Sequence, residues 1–173
     1  AIRLAKELGA ISLSICNVKS STIDREAHGH LYMNSGPEIG VASTKAFTST
    51  MAVLHCLSVA VARSRGTMNE ATEAEMVKAI LAVPSQMEGV LAYDKYFDEA
   101  AAGLKLFRGF LYLGRGTSFP IAMEGALKLK ELAYMHAEGY AAGEMKHGPL
   151  ALIDERMAIV MVAPTDQLYE KTI

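Results

Sequence analysis

The stretch LFRGFLYLGRGTSFPIAMEGALKLKELAYMHAEGY, residues 106–140, decides the fold. Its first nine residues are mostly apolar and aromatic, with Arg108 the one charged member, as a buried strand requires, and they end at a glycine turn, GRGTS. From about Phe119 to Tyr140 the apolar residues recur at helical spacing, with Ala122, Ala126, Leu129, Leu132 and Ala133 gathered on one arc. Strand, tight turn and helix make half of a parallel α/β unit.

Downstream, AAGEMKHGP reads as a loop and MAIVMVAP (157–164) as the next strand. Upstream, Ile2, Leu4, Ala5 and Leu8 fit a short helix stopped by Gly9, ISLSICNV (11–18) is a buried strand, and HLYMN (30–34) is a short one. SGPEIGVAS then leads into a long helix from about Ser43 to Arg65. Residues 70–103 read as mainly helical, with acidic residues early and a break or kink near Pro84. The order suggests two incomplete copies of one sheet-and-helix unit, residues 1–69 and 101–173, joined by a helical linker over 70–100.

The composition fits a globular protein with a sizeable core: 173 residues, 51% hydrophobic and 21% charged. Seventeen basic and 19 acidic residues, a net charge of −2, leave no electrostatic footprint for nucleic acid or an anionic membrane. Cys16 and Cys56 have neither the spacing nor the neighbouring histidines of a zinc site, so they are expected as reduced, buried thiols in a cytoplasmic protein. The most apolar run, residues 46–62, is shorter than a membrane span and contains Thr48, Ser49, Thr50, His55 and Ser58, which favours a core helix. A start at AIRLAKELGA, without methionine or leader and already in helical pattern, and an end in a helix just beginning suggest part of a longer chain.

Three stretches offer chemistry. LGRGTSF has the strand–turn–helix geometry that presents backbone N–H groups to a phosphate, although Phe119 replaces the third glycine of a dinucleotide fingerprint; the glycines equally serve simply to turn the chain. In EIGVASTKAF (38–47), Ser43 or Thr44 either caps the long helix or leaves its positive end free for a ligand. The third is a charged stripe, with Glu124, Lys128, Glu131 and Glu138 at i, i+4, i+7 and i+14 of the expected helix. A solvated stripe contributes only a few tenths of a kcal/mol per pair. A glutamate beside a lysine is also suited to moving a proton next to a carbonyl or imine, and His147, before Gly148-Pro149, adds an imidazole fixed by a rigid turn. His28, His30, His55 and His136 lack such a setting.

EIGVASTKAF, LGRG, EGALKLKE, HAEGYAAGEMKHGPLALI and VAP, in this order, resemble the isomerase half of the glutamine–fructose-6-phosphate aminotransferases, the glucosamine-6-phosphate synthases. The resemblance spans nearly the whole chain and is densest from Glu124 to Ile153. It implies a three-layer α/β/α sandwich with a parallel sheet, the sugar isomerase (SIS) fold. Residues 1–69 would then be the back of one SIS domain and 101–173 the front of a second. Members of the family convert fructose 6-phosphate and glutamine-derived ammonia to glucosamine 6-phosphate as homodimers, without metal or cofactor. By this resemblance Glu131 matches the base that moves a proton between C1 and C2, and Lys128 a lysine one turn away. His147 matches the ring-opening histidine, which reaches the partner subunit's site, and Val41, Ala42 and Ser43 match positions at the sugar.

The family's phosphate loop, Schiff-base lysine and glutaminase domain have no counterpart in the chain, so as given it is expected to be inactive alone. Two other readings compete. One is a different SIS enzyme, a phosphosugar isomerase or amino-sugar deaminase, which the flanking sequence would distinguish. The other is a regulatory module that binds a sugar phosphate without turnover, which has no need of Glu131, Lys128 and His147 together.

Overall fold

The computed structural model describes residues 1–173, which form two compact units, Ala1–Leu91 and Ala92–Ile173. The first unit contains α1 (Ile2–Glu7), β1 (Leu13–Cys16), α2 (Thr22–Glu26), β2 (Gly29–Tyr32), α3 (Lys45–Ser64) and α4 (Glu70–Leu91). Strands β1 and β2 pair in parallel, with Leu13 opposite Gly29 and Cys16 opposite Tyr32. Buried Asp24 anchors the crossover between them. Its carboxylate accepts the Ser20 N–H at 2.7 Å and the Tyr32 hydroxyl at 3.2 Å, and it lies 2.9 Å from His30 Nδ1. The Ser20 N–H, foremost, holds the Asp24 carboxyl below its usual range.

The long helix α3 differs from the core helix expected of its composition. None of its residues is fully buried, because α4 is its main partner in this unit. At 20 residues it exceeds the 17-residue apolar run, and by length and composition it is long enough to cross a membrane. At Pro84, where a break or kink was expected, helix α4 runs on without ending. Proline removes one backbone donor and crowds the carbonyl four residues back, but the helix ends only at Leu91, before Ala92-Tyr93. Both cysteines are free; Cys16 is buried as expected, whereas Cys56, on the half-covered α3, is exposed.

The second unit contains α5 (Asp94–Leu104), β3 (Gly109–Gly114), α6 (Ser118–Ala133), β4 (His136–Ala141), two 3₁₀ segments (Ala142–His147 and Pro149–Leu152), β5 (Met157–Val162) and α7 (Tyr169–Thr172). The sheet order is β4-β3-β5, all parallel, with Gly109 of β3 opposite both His136 and Met157. Central strand β3 is covered on both faces, as parallel sheets require: Phe110 packs against Ala126, Ala137 and Ala158, and Leu111 and Leu113 on the other face are each 1% exposed. Burying each leucine stabilises the fold by about 1.5–3 kcal/mol.

The expected helix over 119–140 is two elements. Tyr134 adopts a left-handed conformation (φ 55°, ψ 27°) that ends α6, and residues 136–141 become β4. The pattern misleads because β4 includes Ala137 and Ala141, helix-compatible alanines buried or half-buried by the sheet rather than by a helix face. Helix α6 lies close on the sheet. A Cβ on Gly139 of β4 would fall 2.7 Å from Met123 Cα, and one on Gly125 of α6 would fall 2.9 Å from the Tyr112 ring.

This close approach makes a paired prediction. Gly139→Ala meets backbone and is expected to cost about 1–3 kcal/mol, whereas Gly89→Ala, in open space within α4, is expected to stabilise by about 0.4–1 kcal/mol. Urea denaturation of the two variants measures both effects; equal effects would show that α6 does not seat tightly against β4.

Candidate functional site

The two units carry different candidates. In the second, seating α6 through Ala122 and Ala126, 0% and 1% exposed, turns the opposite side of the helix outward. Glu124, Lys128 and Glu131 lie there on successive turns. Lys128 Nζ stands 2.6 Å from Glu131 Oε2 and 3.2 Å from Glu124 Oε1. Its side chain is 20% exposed. Hydrogen bonding to Glu131, outweighing the opposing effect of burial, raises its pKa above the ordinary lysine value. The ammonium is therefore charged at neutral pH, and the pairing is lost only as pH rises past the usual lysine range.

Glu138 leaves the stripe because it belongs to β4, where its carboxylate accepts a hydrogen bond from the Tyr140 hydroxyl and lies 3.5 Å from His136 Nε2. The stripe proper is thus Glu124, Lys128 and Glu131. Glu124 is the member whose i,i+4 spacing to Lys128 signalled contact, and it shares the ammonium with Glu131.

His147 ends the first 3₁₀ segment, exposed, its imidazole making no hydrogen bond or ion pair in the chain. Gly148 follows with φ 138°, a conformation open to glycine, and Pro149 opens the second segment, so the chain direction on either side of the imidazole is fixed. The first segment rests on Arg115 of the LGRG turn: a Cβ on Gly143 would be 3.4 Å from its guanidinium. Arg115 makes no ion pair within the chain, and its buried Nε has no hydrogen-bond partner.

The GRGTS turn itself serves the fold. Ser118 N–H donates to Arg115 carbonyl at 3.0 Å and Phe119 N–H to Gly116 carbonyl at 3.2 Å, so two of the N–H groups that a phosphate would use are engaged. Gly114 is required by contact, since a Cβ there would lie 2.2 Å from the Ser118 carbonyl oxygen.

In the first unit Val41, Ala42 and Ser43 lie on the loop before α3, with Val41 95% exposed and Ala42 buried. Thr44 does not cap the helix in the expected manner: it occupies the N-cap position without a side-chain cap hydrogen bond, and the Ser43 hydroxyl donates to Glu38. Glu38 takes that role from six residues upstream. Oε1 accepts the N–H groups of Thr44 (2.8 Å) and Ala46 (3.2 Å), and Oε2 accepts the Ser43 hydroxyl (3.2 Å). The positive end of α3 is thereby neutralised by the chain's own carboxylate, whose pKa is lowered chiefly by the Thr44 N–H. The sequence signal was the acidic residue standing before the glycine of EIGVAS, which a search for Ser or Thr caps passes over.

Two parallel α/β units, one bearing a helix-borne acid–base cluster and the other a closed polar loop, define a protein of the sugar isomerase type. The SIS domain model matches residues 1–60 and 109–172, and the chain belongs to this family. It is 49% identical over 173 residues to a glutamine–fructose-6-phosphate aminotransferase (isomerizing) of Bradyrhizobium diazoefficiens, covering 100% of the chain and 28% of that protein. To the enzyme of the same name from Bartonella quintana it is 50% identical over 171 residues, covering 99% of the chain and 28% of the relative. The C-terminal domain of glucosamine-fructose-6-phosphate aminotransferase from Francisella tularensis superposes with a TM-score of 0.96 at 39% identity, covering 99% of this chain and 48% of that one. The chain therefore spans a little over a quarter of the length of these curated relatives.

The cluster's geometry makes a chemical prediction. Lys128, engaged by two carboxylates, is expected to react with an acylating reagent more slowly than Lys95, whose side chain is 91% exposed, between about pH 7 and about pH 10. Peptide mass spectrometry of a labelling time course reads this, and the Glu124→Gln, Glu131→Gln double variant is expected to close most of the gap. Equal labelling of the two lysines in the unsubstituted protein would contradict the pairing.

Proposed function

We propose that the chain is the central part of the isomerase region of a glutamine–fructose-6-phosphate aminotransferase. In this reading residues 1–69 and 101–173 contribute to two SIS domains and 70–100 to the helical linker between them. The whole protein takes fructose 6-phosphate and glutamine-derived ammonia to glucosamine 6-phosphate and water. The observation that carries the reading is the Glu124–Lys128–Glu131 cluster on α6, within a chain half identical to enzymes of that name. A binding module has no need of a glutamate held one turn from a lysine.

The chemistry follows from the groups. Ammonia condenses at C2 of the open-chain ketose with loss of water, giving an imine. Removal of a C1 proton yields an enolamine, and return of a proton to C2 leaves an aldehyde at C1 and the amine at C2. A single carboxylate can carry that proton between adjacent carbons, the role assigned to Glu131. Lys128 holds the Glu131 carboxylate in one position and supplies positive charge where oxyanion character develops at C1. His147, exposed on its own segment, opens the sugar ring in the site of the partner subunit, so that the working unit is a homodimer. Val41, Ala42 and Ser43 line the sugar.

Free Cys16 and Cys56 support a cytoplasmic setting. Helix α3, although long enough to span a membrane, is read as a helix covered by other parts of the longer protein. The chain alone does not complete the reaction in this account.

In the full-length protein Glu131→Gln is expected to lower sugar turnover by about 10²–10⁴-fold while fructose 6-phosphate binding, measured by calorimetry, changes only a few-fold. Near-normal turnover would reject the assigned base. His147→Ala is expected to slow turnover of the cyclic substrate and to be partly rescued by an open-chain analogue; equal losses on both would remove the ring-opening role.

A further inference from the structure

The loop that carries Val41–Ser43 lacks the usual means of holding a shape. Between Asn34 and Ser43 no backbone–backbone hydrogen bond forms. Two side chains supply the constraint instead. At the start, Asn17 receives the Ser35 N–H at 2.9 Å on Oδ1 and donates from Nδ2 to the Gly36 carbonyl at 2.6 Å. At the end, Glu38 ties itself to Ser43, Thr44 and Ala46 with three hydrogen bonds of 2.8–3.2 Å. The segment between Glu38 and Ser43 is a side-chain-closed ring from which Ile39, 97% exposed, and Val41, 95% exposed, project.

We propose that Glu38 is a positioning residue: its carboxylate closes the loop onto the first turn of α3 and so holds Val41, Ala42 and Ser43 in the shape that receives the sugar. The assignment rests on the sugar-phosphate reading above. Three features carry it. Both carboxylate oxygens are used, one on backbone and one on the Ser43 hydroxyl, so the group fixes the direction of the strip as well as its end. Thr44, at the N-cap position, makes no side-chain cap hydrogen bond, whereas Glu38 accepts two N–H groups of the first turn. The carboxylate also fills the helix end that would otherwise attract an anion, so this loop meets the uncharged hydroxyl-bearing part of the substrate, and the phosphate is bound elsewhere.

The test compares Glu38→Ala and Glu38→Gln in the full-length protein. Alanine removes every acceptor; glutamine keeps one carbonyl oxygen for the Thr44 and Ala46 N–H groups and an amide that can donate to Ser43. Glu38→Ala is expected to raise the KM for fructose 6-phosphate by about tenfold, the scale of a lost helix cap, with a smaller change in kcat. Glu38→Gln is expected to restore KM to within a few-fold of the unsubstituted protein. Hydrogen exchange at the Thr44 and Ala46 amides is expected to speed up in the alanine variant and to recover with glutamine. A residue that only stabilises the fold would lower the melting temperature of Glu38→Ala and leave KM unmoved, and that result overturns the proposal. Should Glu38→Ala fail to fold, an unchanged KM alongside fast amide exchange in Glu38→Gln also overturns it. Absence of fructose 6-phosphate turnover by the unsubstituted protein is a different failure: it overturns the functional reading and, with it, the assignment of a sugar to this loop.

Discussion

Helix α6 can sit where it does only because small residues let two backbones approach. Gly139 of β4 meets Met123, Gly125 meets the ring of Tyr112, and Ala122 and Ala126 fill the remaining contact with essentially no exposed surface. Protein interiors are close-packed, so a single added methyl at such a point displaces backbone rather than a flexible side chain. Once this face is fixed, the 3.6-residue period leaves no choice about the rest. Glu124, Lys128 and Glu131 emerge on the side turned away from the sheet, close enough for one ammonium to engage two carboxylates. The acid–base cluster is thus a consequence of packing on the opposite face of the same helix.

The same economy recurs at a smaller scale in the first unit. There the helix end is not capped by the adjacent serine or threonine but by Glu38, which reaches over a loop without backbone hydrogen bonds of its own. In both units a glutamate is held by partners that favour its charge, an ammonium in one case and backbone N–H groups with a hydroxyl in the other. The roles differ because the partners do. Backbone donors are engaged in shaping a loop, whereas the Lys128–Glu131 pair stays 20% and 31% exposed.

Much of this was legible in the sequence, and the misreadings have physical causes. The strand GFLYLG and the parallel α/β architecture are recognisable because a doubly covered strand is continuously apolar. Lys128 and Glu131 were legible as neighbours because helical spacing brings i and i+3 together. The helix end at Tyr134 was not, since a left-handed cap at a non-glycine residue leaves no compositional trace, and the alanines beyond it kept the helical rhythm through what is β4. Of the break or kink expected near Pro84, the break does not occur: the helix continues to Leu91, because a proline's cost of about 3 kcal/mol is one contribution among many along a 22-residue helix. Glu38 was passed over as a cap because a search for helix caps looks to the serine and threonine beside the helix, whereas capping from six residues away depends on the path of the loop.

The central claim is that the α6 carboxylate works on the carbon skeleton of a sugar phosphate. A crystal structure of the full-length protein with an open-chain analogue of fructose 6-phosphate bound tests it most directly. The account predicts the Glu131 carboxylate within about 3.5 Å of both C1 and C2, with Lys128 still paired to it. A bound analogue whose C1 and C2 lie out of reach of Glu131, or a Glu131 side chain facing bulk solvent with the site occupied, would contradict it.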